Sequence, residues 1–206
     1  MELFMGLYLI LMLLLAFSME AALLAFIVVM YILEGKSLSA IARRRGIDNP
    51  WLAWVPVGSS WLLGAVSDQY RYVTYGQIRD RRKLLTWLSA VLYAVLTVLF
   101  VLLAIWIVGA ISAAGISGEE AFIATYMGGF FVIYMVALLL SGVSTVMSVF
   151  QYMAYYDLFR SCDPDKSLIY LLVSIFTTYP LPFFVFSCRN KDLGMPPRKD
   201  EAEQMI

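Results

Sequence analysis

Four apolar stretches punctuate the chain, over residues 3–33, 84–111, 121–156 and 167–187. Glu20 is the one charge in the first. The second and third carry none, and the fourth carries none but contains Pro180 and Pro182. A bilayer core takes about 20 apolar residues per helix. The first three stretches exceed that need, so they predict long membrane helices that tilt or run past the membrane surface. No basic residue precedes residue 3 and no small-residue cleavage site follows, so 3–33 reads as an uncleaved membrane helix rather than a leader.

The connection 34–83 is not simply polar. Leu38, Ile41 and Ala42 recur at helical spacing, which predicts a short helix stopped at Gly46. Trp51, Trp54 and Trp61 then fall in an apolar run broken by Pro56 and Gly58. Tryptophan favours the membrane–water boundary, so this run reads as an interfacial or shallow re-entrant segment.

Composition agrees. Of 206 residues 62% are hydrophobic and 15% charged, against roughly 45–50% and 25% in soluble domains. The reading is therefore an all-α membrane protein: a small transmembrane helical bundle of three long spans, a proline-broken fourth segment and the Trp-rich segment. Residues 1–190 form a single integral membrane domain, and 191–206 a short polar tail. Fifteen basic residues balance fifteen acidic ones, so no net basic field exists to hold nucleic acid.

Charge placement sets the threading. Residues 34–83 hold nine Lys and Arg, 112–120 none, 157–166 two, and the chain after 187 four. Basic residues accumulate on the cytoplasmic side. The N-terminus is thus expected outside and 34–83 in the cytoplasm. The fourth stretch divides the evidence: its length permits a crossing, whereas Arg189 and Lys191 beside its end favour a segment that dips and returns, turning near Pro180.

Candidate chemistry is sparse. There is no histidine, and the two cysteines, Cys162 and Cys188, form no CxxC. Triads, zinc-hydrolase motifs and dithiol sites of that spacing are excluded, and neither enzyme activity, metal nor cofactor is expected. Glu20 lies at bilayer depth, where a charge costs roughly 2.5–3.5 kcal/mol; it reads as a proton or cation site, or as a protonated acid bonded to a neighbouring helix. Thr86, Ser89, Tyr93 and Thr97 share one stripe of the second helix, and Ser141, Thr145, Ser148, Tyr152 and Tyr155 one stripe of the third. Those stripes either line a polar cavity open to the cytoplasm or pack helix against helix. Arg43, Arg44 and Arg45 anchor the topology or bind anionic lipid headgroups.

Two segments carry a resemblance. Residues 45–56, with Gly46, Pro50, Trp51, Ala53 and Pro56, resemble a Gly-x-x-Pro-Trp-x-Ala-x-x-Pro signature that follows the first helix in a large group of small, uncharacterised bacterial integral membrane proteins. Tyr156, Asp157, Leu158, Phe159 and Arg160, then Lys166, Ser167 and Leu168, then Phe176, Tyr179 and Pro180, resemble that group's closing pattern. The usual Tyr-Asn after the loop proline is replaced by Gly58, Ser59 and Ser60, and the glycine of the closing turn is missing. The resemblance implies a bacterial helical bundle and no activity. Two functions stay open: a non-enzymatic assembly or accessory component, joining itself or another membrane protein, and a small oligomeric transporter or channel using Glu20 and the hydroxyl stripes.

Overall fold

The computed structural model describes residues 2–77, 80–116, 119–177 and 179–196, which are mostly helical and contain no strand. Helix α1 spans Glu2–Arg44. A 3₁₀ turn, Pro50–Trp54, leads to α2 (Pro56–Tyr75), α3 (Arg81–Ile116), α4 (Glu119–Cys162), α5 (Ser167–Phe176) and α6 (Leu181–Cys188). The protein is an all-α bundle in which α1, α3 and α4 are long and apolar enough to cross a membrane. Arg79 and the tail beyond residue 196 lie outside the described residues.

Length explains the shape. Helices α1 and α4 have 43 and 44 residues. Each is about 65 Å long at 1.5 Å per residue, roughly twice a hydrocarbon core. The excess gathers at one end, where the buried cluster lies: Leu38 and Ile41 of α1, Leu62 and Val66 of α2, Leu85 of α3, Leu158 and Phe159 of α4, and Val185 of α6. Away from that end, every described side chain of α1 between residues 8 and 29 is exposed. An apolar surface of this extent suits lipid or another apolar partner.

Helix α1 differs from the sequence reading. It does not stop at residue 33 to be followed by a separate short helix, but runs unbroken to Arg44. Glu34, Leu38, Ile41 and Arg45 succeed one another at steps of four, three and four, so one face stays inward past the end of the lipid-like run. The stop is at the expected place. Gly46 takes φ 65°, its N–H donates to Arg43 O at 3.2 Å, and Ile47 N–H donates to Ala42 O at 2.9 Å. This paired closure needs a left-handed residue, which glycine adopts without a Cβ penalty.

The fourth apolar stretch folds back. Helices α5 and α6, with 10 and 8 residues, are about 15 and 12 Å long and individually too short to cross. Pro182 sits in the first turn of α6, where its missing N–H is no loss. Beyond α6 the chain returns to its start: Leu193 N–H donates to Cys162 O and Gly194 N–H to Ser161 O, both at 3.1 Å. The segment therefore forms a helical hairpin whose end lies beside its start.

Close approach fixes the other joints. A Cβ on Gly64 of α2 would lie 2.6 Å from Arg82 Cα of α3, so this crossing requires glycine. Asp68 of α2 caps α3, accepting N–H bonds from Arg81 at 3.1 Å and Arg82 at 3.0 Å. Farther along, the Trp106 indole of α3 occupies the space over Gly129 of α4.

Candidate functional site

A cavity of about 610 Å³ opens where α1 parts from α3 and α4. Tyr31, Glu34 and Gly35 of α1 form one wall. Leu92 and Tyr93 of α3, with Ser144, Met147, Ser148, Gln151, Tyr152 and Tyr155 of α4, form the facing wall. Ser59 and Ser60 of α2, with Leu181 and Pro182 of α6, close it. Ligand cavities commonly measure about 300–1,000 Å³ and combine apolar walls with a few convergent polar groups.

Among the described residues, Glu34 is the charged one of this lining, and no lysine or arginine shares it. It sits one residue past the first apolar stretch. The hydroxyl of buried Tyr155 donates to Glu34 Oε1, joining α1 to α4 across the cavity. Tyr31 donates to the carbonyl of Trp54, and Tyr152 to Ser174 O at 3.1 Å. These bonds fix both phenol rings and tie the walls to the 3₁₀ turn and to α5. The Trp54 ring lies against Gly35, 3.1 Å from where a Cβ would stand, which holds the turn close to α1.

The predicted hydroxyl stripes divide. Tyr93, Ser148, Tyr152 and Tyr155 reach the cavity. Ser89 is buried with its hydroxyl on Thr86 O, while Thr86, Thr97 and Thr145 return theirs to the carbonyls of Arg82, Tyr93 and Ser141. Ser141 is exposed and does not line the cavity. Back-bonding of this kind lets a hydroxyl face lipid without an unmet donor. On α4 the lining adds Ser144, Met147 and Gln151 to Ser148, Tyr152 and Tyr155 of the expected stripe. Glu20 stands on the exposed part of α1, away from the cavity.

The arginine cluster turns inward rather than toward headgroups. Arg44 Nε pairs with Asp192 at 2.5 Å, and its Nη1 and Nη2 donate to the carbonyls of Arg189 and Lys191. Arg45, 9% exposed, pairs with Asp192 at 2.7 Å and donates to Ser161 Oγ at 2.8 Å. Together they clamp the segment after α6 onto α1, with Lys191 on Asp163 at 3.0 Å as a third tie. That carboxylate raises the Lys191 pKa above its ordinary value. Arg43 alone of the three is fully exposed. Trp51 and Trp54 are exposed, and Trp61 is half-buried beneath the Arg82 guanidinium, 5.5 Å from the ring centre.

Opposite the cavity, Asp157 of α4 is buried among cations. It accepts from Arg71 Nε and Ser67 Oγ at 2.7 Å and from Arg81 Nη1 at 2.6 Å. The bond to Asp157 pushes the Arg71 pKa upward. This knot joins α2, α3 and α4 beneath the cavity, and it fixes the helix ends from which the lining side chains project.

No protein-family model matches this chain, and no curated protein or solved structure does so either. The cavity's chemistry must be read from its own residues. It offers one carboxylate, several hydroxyls and the Gln151 amide in an otherwise apolar setting. Such a lining favours a ligand that bears positive charge, because an anion would meet Glu34 with no cation to offset it. Glu34, Ser144 and Gln151 escaped the sequence reading; continuing the helical period through Lys36 would have shown Glu34 on the inward face.

Proposed function

We propose that this is a bacterial multi-pass protein of the cytoplasmic membrane that binds a small cationic amphiphile in the Glu34 cavity and serves as a small oligomeric transporter. The N-terminus is placed outside and the packed end, with α2 and the arginine clamp, in the cytoplasm. The observation that carries the reading is Glu34 itself: one carboxylate, bonded to Tyr155, on the wall of a cavity without a basic residue. The apolar helices on either side would let a ligand with an alkyl chain enter from the bilayer.

Titration of the purified full chain with dodecyltrimethylammonium in maltoside micelles tests this. Binding is expected in the wild type, about tenfold weaker in Glu34→Gln, an effect worth about 1.4 kcal/mol. Equal affinity in both proteins would refute a role for the carboxylate. The Gln variant keeps the acceptor for Tyr155, so a folding defect is not expected to mimic the result.

The assembly reading is favoured by a different observation. Among the described residues, no helix of the same chain covers Glu20 on the exposed apolar length of α1. A second copy or another membrane protein would shield that carboxylate. Mass measurement in detergent tests it: Glu20→Leu should leave the oligomer unchanged if Glu20 faces lipid, and dissociate it if Glu20 bonds across the interface.

A further inference from the structure

A second hollow, of about 210 Å³, lies between α2 and α4 on the side of the packed end away from Glu34. Its polar lining is unlike that of the cavity. Arg71, Arg160 and the phenols of Tyr70, Tyr75 and Tyr156 surround it, with Asp157 at its base. Asp157 is already saturated by Arg71, Arg81 and Ser67. Of the two guanidiniums that line the hollow, Arg71 is offset by Asp157 and Arg160 adds a positive charge.

Arg160 is exposed and lies over the Tyr156 ring at 6.0 Å. The Tyr70 and Tyr75 rings line the same hollow. Those two rings meet edge to face at 6.1 Å. Guanidinium and phenol groups are the donors that a tetrahedral oxyanion accepts. Tyr156 closes the uncharged stretch 121–156, so the hollow stands at the level where the lipid-like surface ends, the depth of a headgroup phosphate. The Arg44 and Arg45 side chains, by contrast, are engaged by Asp192.

We propose that this hollow binds a phosphate group, held by Arg160, Arg71 and the hydroxyls of Tyr70 and Tyr75. An anionic phospholipid headgroup or a free phosphate ion supplies the same chemistry, and the test separates them. The purified full chain in maltoside is titrated with phosphatidylglycerol and with phosphatidylcholine, and lipid retention is read by native mass spectrometry; inorganic phosphate is titrated separately by calorimetry. Arg160→Gln, on an exposed residue, is expected to weaken binding about fivefold, the value of one basic residue near a membrane surface. Tyr75→Phe should weaken it further, and Arg43→Gln should leave it unchanged. Retention of phosphatidylglycerol over phosphatidylcholine, lost in Arg160→Gln, supports a headgroup; phosphate binding lost in the same variant without lipid retention supports the free ion. Arg160→Gln and Tyr75→Phe binding as the wild type does, or no binding of either probe, would overturn the proposal.

Discussion

Replacing Asp157 by Asn should be among the most damaging conservative changes in this protein. The carboxylate is 3% exposed and holds Arg71, Arg81 and Ser67 at once. Asn keeps the shape but removes the charge, and turns an NH₂ toward two guanidiniums. Breaking one side of a buried pair costs about 3–5 kcal/mol. Here the Arg71 and Arg81 side chains keep 21% and 11% exposure, so water absorbs part of the freed charge. The lower end, about 3 kcal/mol, is therefore expected. For a chain of this length that corresponds to a fall of about 6–12 °C in melting temperature. Asp80, 66% exposed in its pair with Lys83, gives the contrast: Asp80→Asn should cost at most about 1 kcal/mol, as exposed pairs do. Adding Arg71→Gln to Asp157→Asn removes one uncompensated charge and should recover about 1 kcal/mol. Thermal unfolding in maltoside, followed by tryptophan fluorescence, measures all four proteins. An Asp157→Asn loss below about 1 kcal/mol, or no larger than that of Asp80→Asn, would refute a charge knot that joins the three helices.

Three further outcomes follow from the same geometry. Gly64→Val should destabilise by at least about 1–3 kcal/mol in the same unfolding assay, because its Cβ would meet the α3 backbone, which cannot yield as a side chain can; a neutral result would contradict the close crossing. Burial raises the Asp68 pKa above 3.8 despite its bonds to the Arg82 and Arg81 N–H groups, so its contribution to stability is full below that value and falls as pH rises through the raised one; Asp68→Asn keeps an acceptor for only one of the two bonds, and its deficit against the wild type should shrink over that rise, whereas a widening deficit would reverse the sign. Cys162 and Cys188 are both 0% exposed, and the neighbouring Cys162 thiol, then burial, raise the Cys188 pKa, so an impermeant maleimide should label neither in intact cells and both after denaturation; labelling of Cys188 from outside would contradict the returning hairpin.

Much of the fold was legible because its signals are local. Runs of uncharged residues mark α1, α3 and α4, Gly46 marks the end of α1, and Pro180 with Pro182 marks the break in the fourth stretch. The charges of Arg189 and Lys191 pointed to the return of that stretch, and the structure places their carbonyls on Arg44. The continuation of α1 was missed because Glu34 and Lys36 ended the apolar run, although the inward face carries on through Leu38 and Ile41. The arginine cluster was misjudged for a different reason. Arg45 and Asp192 are 147 positions apart, and no period or spacing announces a pair formed by tertiary return. The cavity combines both limits: Tyr93, Ser148, Tyr152 and Tyr155 lay on the expected stripes, whereas Glu34 reaches Tyr155 across 121 positions.

Glu34, not Glu20, is the carboxylate that the cationic ligand should cover, and carbodiimide labelling reads this directly. Dicyclohexylcarbodiimide partitions into membranes and converts a carboxylic acid to a stable N-acylurea, whose position peptide mass spectrometry locates. The full chain in liposomes is treated with the reagent, with and without dodecyltrimethylammonium. The account predicts label on Glu34 that the ligand suppresses, and label on Glu20 that it leaves unchanged. Labelling of Glu34 at the same extent with and without ligand, or protection of Glu20 instead, would contradict it.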